Sequence, residues 1–171
     1  ALEKIGGETW FRLGDKDFAT HLERTKKLQS GKSLSETIYY LSKKLGIKST
    51  IIPISDDKLQ TIIKTKDGDL EFQEYFVKKR CKPIVSGFRF LGAKKASPNN
   101  EFMMALKNPA LKAVIICPSN PFISIDPILA VSGVRKGLRD CRVPVIAVSP
   151  IIGKSGIKGP IYKRGQGTSC R

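Results

Sequence analysis

Lys112-Ala113-Val114-Ile115-Ile116-Cys117, Pro118-Ser119-Asn120-Pro121, Asp126-Pro127 and, past a helical stretch over 134–139, Pro144-Val145-Ile146-Ala147-Val148 are the segments that decide the fold. Both apolar runs lack the polar alternation of a half-exposed strand, and strands of parallel sheets read this way because both of their faces are covered. Asp126-Pro127 is a helix start, since proline at the first helical position gives up only an N–H that would have no partner there. Strand, loop, helix, strand is a βαβ unit. The predicted fold class is α/β, a mostly parallel Rossmann-like sheet flanked by helices, with a small β-hairpin insertion. Ligands of such sheets bind outside the carboxyl ends of the strands. The loop 118–121 falls there, and its two prolines fix a backbone that offers the Ser119 hydroxyl and the Asn120 amide, a geometry suited to a nucleotide or phosphate.

Working outward, residues 9–13 read as a short strand ending at Gly14, and Asp15 or Asp17 is placed to cap a helix through about Leu28. Phe18, Leu22 and Thr25 form that helix's expected inner face, and Gly31 stops it. Ser33-Leu34-Ser35-Glu36 is a capping box. Leu34, Ile38, Leu41 and Leu45 follow at helical spacing as expected core, closed by Gly46. Residues 50–54 read as a strand running into Ser55-Asp56-Asp57, where a turn cap is the default and a metal- or nucleotide-binding acid the alternative. Segments 61–65 and 70–75 flank Asp67-Gly68, a hairpin signal. Strand-like alternation continues over 83–90, and Ser97-Pro98 precedes a short helix over 101–107. Residues 1–164 are expected to form one partial α/β domain and 165–171 an irregular tail.

A chain of 171 residues, 40% hydrophobic and 27% charged, suits one folded domain. No apolar run approaches the roughly 20 residues of a membrane helix, and Ala1-Leu2-Glu3-Lys4 does not open a secretory signal. The four cysteines are scattered with no CxxC pair, which points to reduced thiols, a cytoplasmic protein and no zinc site. Lysine and arginine outnumber acids 31 to 15, for a net charge of +16. The cations are spread as doublets such as Lys94-Lys95 and Arg135-Lys136, without interleaved aromatics. A solvated surface that steers an anionic substrate is the expected reading; a basic nucleic-acid-binding module is the alternative. The phosphate loops G-x-x-x-x-G-K-[ST] and G-x-G-x-x-G are absent.

Polar chemistry concentrates in Arg12, Asp15, Asp17, His21 and Arg24. On a helix starting near Asp17, positions 17, 21 and 24 share one face. The carboxylates could hold magnesium or orient an attacking hydroxyl, and the guanidiniums could neutralise phosphoryl oxygens. A helix cap with an Asp17–His21–Arg24 surface pairing is the competing reading. His21 is the sole histidine, which removes multi-histidine metal sites, and no residue pattern supports a covalent nucleophile.

Leu13-Gly14-Asp15-Lys16-Asp17-Phe18-Ala19-Thr20-His21 with Arg24-Thr25 resembles the LGDRDxATHxxRT block of the CofD-like 2-phospho-L-lactate transferases. Residues 52–57, 72–76, 118–121 and 148–153 resemble further blocks of that family in the same order. The resemblance implies transfer of a 2-phospholactyl or phosphoenolpyruvyl group from a guanosine-diphosphate-linked donor to 8-hydroxy-5-deazariboflavin. GMP is released, magnesium is required, and the product serves coenzyme F-420 biosynthesis. It implies that Arg12 contacts the deazaflavin, that Asp15 and Asp17 act near metal or acceptor, and that Ser119 and Asn120 face the guanine nucleotide; His21 and Arg24 join the substrate-binding set. The metal ligands stay unassigned and a homodimer stays open. The family's amino-terminal glycine-rich loop is not in this sequence, so the chain reads as an internal fragment from which catalysis alone is not expected. A gluconeogenesis-factor-like, sugar-nucleotide-binding regulator is the nearest alternative.

Overall fold

The computed structural model describes residues 4, 6, 9–10, 13–152 and 155–156. Strands β1 (Gln60–Thr65), β2 (Gly68–Glu71) and β3 (Val85–Leu91) form an antiparallel sheet in the order β2-β1-β3. Thr65 lies opposite Gly68, so Lys66-Asp67 is a two-residue turn, and Gly68 takes φ +122°, which a side chain would resist. The Thr65 hydroxyl donates to the Gly68 carbonyl (2.7 Å) and accepts from the Asp67 amide (3.2 Å).

The expected strand over 70–75 ends at Glu71, and a π-helical turn, Glu74–Lys78, follows. Tyr75 is buried and its successor Phe76 packs against the same core. Neighbours on a strand point to opposite faces, so burying both on one side requires a helical turn. The Tyr75 Oη lies 3.3 Å from the carbonyls of both Cys81 and Pro83. Ile63, Tyr75, Cys81 and Val85 make up this core, with Leu70, Phe88 and Ile123 against it. Cys81 is fully buried and disulfide-bonded, which departs from the expectation of reduced thiols. Cys117 and Cys141 are free.

Helices α1 (Asp15–Gln29) and α2 (Leu34–Lys44) pack together, with Lys27 Nζ 3.5 Å over the Tyr40 ring. The capping box of α2 forms as predicted. The apolar faces depart from expectation. Phe18 and Leu22 on α1 are 59% and 62% exposed, and α1 buries no residue. On α2 the buried positions are Thr37 and Ser42, while Leu34, Ile38 and Leu41 are half-buried and Leu45 is exposed. No strand forms over 50–54; Pro53 has no amide to donate to a ladder, and the Ile54 carbonyl instead accepts from the Asn99 amide (2.8 Å).

Helices α3 (Asn100–Lys107), α4 (Asp126–Leu129) and α5 (Val134–Asp140) enclose a second core of Ala96, Val131 and Val134. A β-carbon on Gly137 would stand 2.8 Å from Met103, so glycine there lets α5 approach α3. Strands β4 (Val114–Ile116) and β5 (Val145–Ala147) pair in parallel, with the Val148 amide donating to Ile116 (3.0 Å). The βαβ order is as predicted, but burial is not: Ile115 is 62% and Ile146 50% exposed. The α/β class holds, with a larger antiparallel share than expected. Strands β6 (Ile151–Ile152) and β7 (Ser155–Gly156) form a small antiparallel pair. The expected tail, 165–171, lies outside the described residues.

Candidate functional site

Asp15 opens α1, and Gly14 stands at the N-cap in extended conformation with no side-chain cap bond. The expected capping by Asp15 or Asp17 is therefore corrected: both carboxylates lie in the first turn, where they complement the positive end of the helix dipole. Thr9, Trp10 and Leu13 are not in a strand, and Arg12 lies outside the described residues. Asp17, His21 and Arg24 follow one another along one face at the predicted spacing. All four side chains, with Asp15, are exposed and form no hydrogen bond or ion pair with any described residue. The surface pairing of Asp17, His21 and Arg24 is not made.

Ser119 and Asn120 sit where β4 ends, as predicted. The Asn120 Oδ1 accepts from the Phe122 amide (3.1 Å), and the Asn120 carbonyl accepts from Ser124 (3.0 Å) and Ile125 (3.2 Å). These bonds start the π-helical turn Pro121–Ile125 that leads directly into α4. Phe122 stacks on Phe88 of β3 (6.1 Å between centroids), and Ile123 reaches the first core. The loop is thus anchored to the antiparallel sheet while Ser119 remains half-exposed at the strand end.

Ser55-Asp56-Asp57 works as a clamp. Buried Ser55 donates to the Ser97 carbonyl (2.6 Å) and accepts from the Asp57 amide (3.1 Å). Asp57 accepts from the Ser97 amide (2.8 Å), and Asp56 accepts from the Ser35 amide at the start of α2 (2.6 Å). Asn99 donates to Ser35 Oγ (2.8 Å) and caps α3. Both acids are occupied by turn and cap chemistry.

The described residues do not gather a magnesium site: no three His, Cys, Asp or Glu side chains converge, and Asp15 and Asp17, two positions apart on a helix, do not face each other. Two cavities, of about 840 and 900 Å³, are lined by residues from α3 and α5 and from β3, α4 and α5, and neither includes a residue of the predicted site. The second is rimmed by Arg89, Lys94, Lys95, Arg135, Lys136 and Arg139. The doublets signalled charge in the sequence, but their convergence depends on the packing of α5 beside the turn after β3. No helix among the described residues is long and apolar enough to cross a membrane.

Three comparisons bear on this arrangement. A model of the family described as CofD, 2-phospho-L-lactate transferase, matches residues 7–164. The 2-phospho-L-lactate transferases of Methanosarcina mazei and Methanopyrus kandleri are 38% and 40% identical over 95% of this chain. A phosphoenolpyruvate transferase of Mycobacterium tuberculosis is 38% identical over 88% of it. The chain spans about half the length of these relatives, 52%, 51% and 46% respectively. A Bacillus halodurans protein of known structure superimposes with a TM-score of 0.58 at 16% identity, covering 74% of this chain and 39% of its own, which supports the fold alone. On the family match and these relatives, the chain belongs to the CofD family of 2-phospho-L-lactate transferases.

Proposed function

We propose that this chain contributes one wall of a transferase site that moves a 2-phospholactyl or phosphoenolpyruvyl group from a guanosine-diphosphate-linked donor to 8-hydroxy-5-deazariboflavin. The observation that carries this reading is the Pro118-Ser119-Asn120-Pro121 loop, held at the carboxyl end of a parallel strand and leaving Ser119 half-exposed. In the reaction, an acceptor hydroxyl attacks the phosphorus that bears the lactyl or enolpyruvyl group. The bond from that phosphorus to the bridging oxygen breaks, and GMP departs with the electron pair. Such displacements depend on positioning and charge neutralisation more than on a protein nucleophile. Ser119 would bind the nucleotide by its hydroxyl while Asn120 shapes the turn. Arg12 and Arg24 would offset phosphoryl charge, His21 would hydrogen-bond substrate, and Asp15 or Asp17 would accept the attacking hydroxyl's proton.

Binding is the direct test. GDP and the intrinsically fluorescent deazaflavin are titrated against the wild-type chain, Ser119→Ala and Asp17→Asn. The reading expects roughly tenfold weaker GDP binding for Ser119→Ala, the cost of one charge-assisted hydrogen bond. Unchanged GDP affinity in Ser119→Ala, or preferential binding of a uridine-diphosphate sugar, contradicts it. Turnover by the 171-residue chain alone is not expected, because the strands that carry the loop are uncovered.

A further inference from the structure

We propose that the cationic groove between the turn after β3 and α5 is a second anion site, taking a compact polyphosphate, free or carried on a nucleotide. Its volume of about 900 Å³ is that of a small-ligand cavity. Arg89, Lys94, Lys95, Arg135, Lys136 and Arg139 line it, and no acidic residue does. Three of these cations have counter-ions that lie outside the groove lining: Arg89 with Asp69 (2.6 Å), Arg135 with Asp126 (3.2 Å) and Lys136 with Asp140. Lys94, Lys95 and Arg139 have no acidic partner among the described residues. Folding gains nothing from gathering uncompensated like charges on one wall, whereas a polyanion neutralises several at once. The Arg139 guanidinium can meet phosphate oxygens bidentately, and the two ammonium groups act as point charges beside it.

The rim is held in place before any ligand arrives. Gly92 takes φ +83°, and a β-carbon there would stand 2.3 Å from the Lys58 carbonyl oxygen, so the turn presses directly on that backbone. The Gly92 carbonyl accepts from the amides of Lys95 and Ala96, both at 2.9 Å, closing the turn that presents Lys94 and Lys95. The Ser132 amide donates to the Ala93 carbonyl (3.3 Å), latching that turn to the segment leading into α5. Apolar Leu91, Leu129 and Val131 also line the cavity, and a ligand bearing a ring beside its phosphates could cover them. Preorganisation of this kind lowers the ordering cost of binding.

The test is calorimetric titration of the whole chain with inorganic tripolyphosphate at about 0.15 M salt, where charges on separate parts of the surface are screened from one another. The expected result is saturable binding to one site, lost by about 100-fold or more in Lys94→Ala/Lys95→Ala/Arg139→Ala. Lys26→Ala/Lys48→Ala/Lys66→Ala removes equal charge elsewhere and should stay within about twofold of wild type. Ser119→Ala should also bind unchanged, which separates this site from the nucleotide loop. Measured in Ser119→Ala, a nucleoside triphosphate that binds no tighter than tripolyphosphate indicates recognition of phosphates alone; tighter binding that is lost with Lys94→Ala/Lys95→Ala/Arg139→Ala indicates that the apolar lining reads the base. No saturable binding, an equal loss in the control triple, a loss in Ser119→Ala, or preference for a single-stranded oligonucleotide over tripolyphosphate would each overturn the proposal. Every substituted cation is exposed, and matching thermal midpoints would show that the variants remain folded.

Discussion

The antiparallel sheet β1–β3 closes over Ile63, Tyr75, Cys81 and Val85, whereas the parallel pair β4–β5 leaves Ile115, Ile146 and Val148 largely in solvent. The parallel pair is the richer of the two in β-branched residues, with all of β4 and Val145-Ile146 of β5, so strand propensity does not explain why it is the less covered. A fully buried isoleucine contributes about 1.5–3 kcal/mol over an exposed one, and parallel strands ordinarily collect that on both faces. Here several apolar side chains of β4 and β5 stay exposed, as do Phe18 and Leu22 of α1. The first region supplies its own core; the second is an unfinished layer, and it is the layer that carries Ser119 and Asn120.

Substitutions should separate the regions sharply. Ile63→Ala is expected to lower unfolding free energy by about 2–5 kcal/mol in chemical denaturation, while Ile115→Ala and Ile146→Ala should each stay within about 0.5 kcal/mol. Comparable losses at all three positions would break the comparison. Ser55→Ala strips the clamp of a buried hydroxyl with two partners and should cost about 1–3 kcal/mol in the same measurement. Ser33→Ala, removing the α2 capping box, should cost about 1 kcal/mol.

The smallest effect is a pH dependence. Glu36 is held below its ordinary 4.5, first by the Ser33 backbone amide and then by Lys32. With the folded value depressed, its stabilising contribution is complete above about 4.5 and is lost as pH falls through the lower folded value. Circular dichroism should show α2 helicity declining in that acid window, and Glu36→Gln should remove that part of the decline.

Much of the fold was legible. The Ser33–Glu36 box, the Asp67-Gly68 hairpin, the Asn100–Lys107 helix and the βαβ order are local or short-range signals, and each forms. Burial was not legible, because an apolar run shows that a strand can be covered and not that a cover is present. The alternation over 70–75 predicts a strand through Tyr75, but it does not show that Tyr75 and its successor Phe76 must face one core. Of the candidate site, the spacing of Asp17, His21 and Arg24 and the position of Ser119 and Asn120 came from sequence. The groove of Lys94, Lys95 and Arg139 did not, since it joins segments about forty residues apart through tertiary packing.

Hydrogen exchange resolved to individual amides tests the central claim most directly. The account predicts that the ladder-bonded amides of β1 and β3 exchange near the global unfolding limit, while Val114, Ile116 and Val148 open through low-energy local fluctuations. Equal protection in the two sheets would show that the parallel pair is already complete in this chain and would contradict the account.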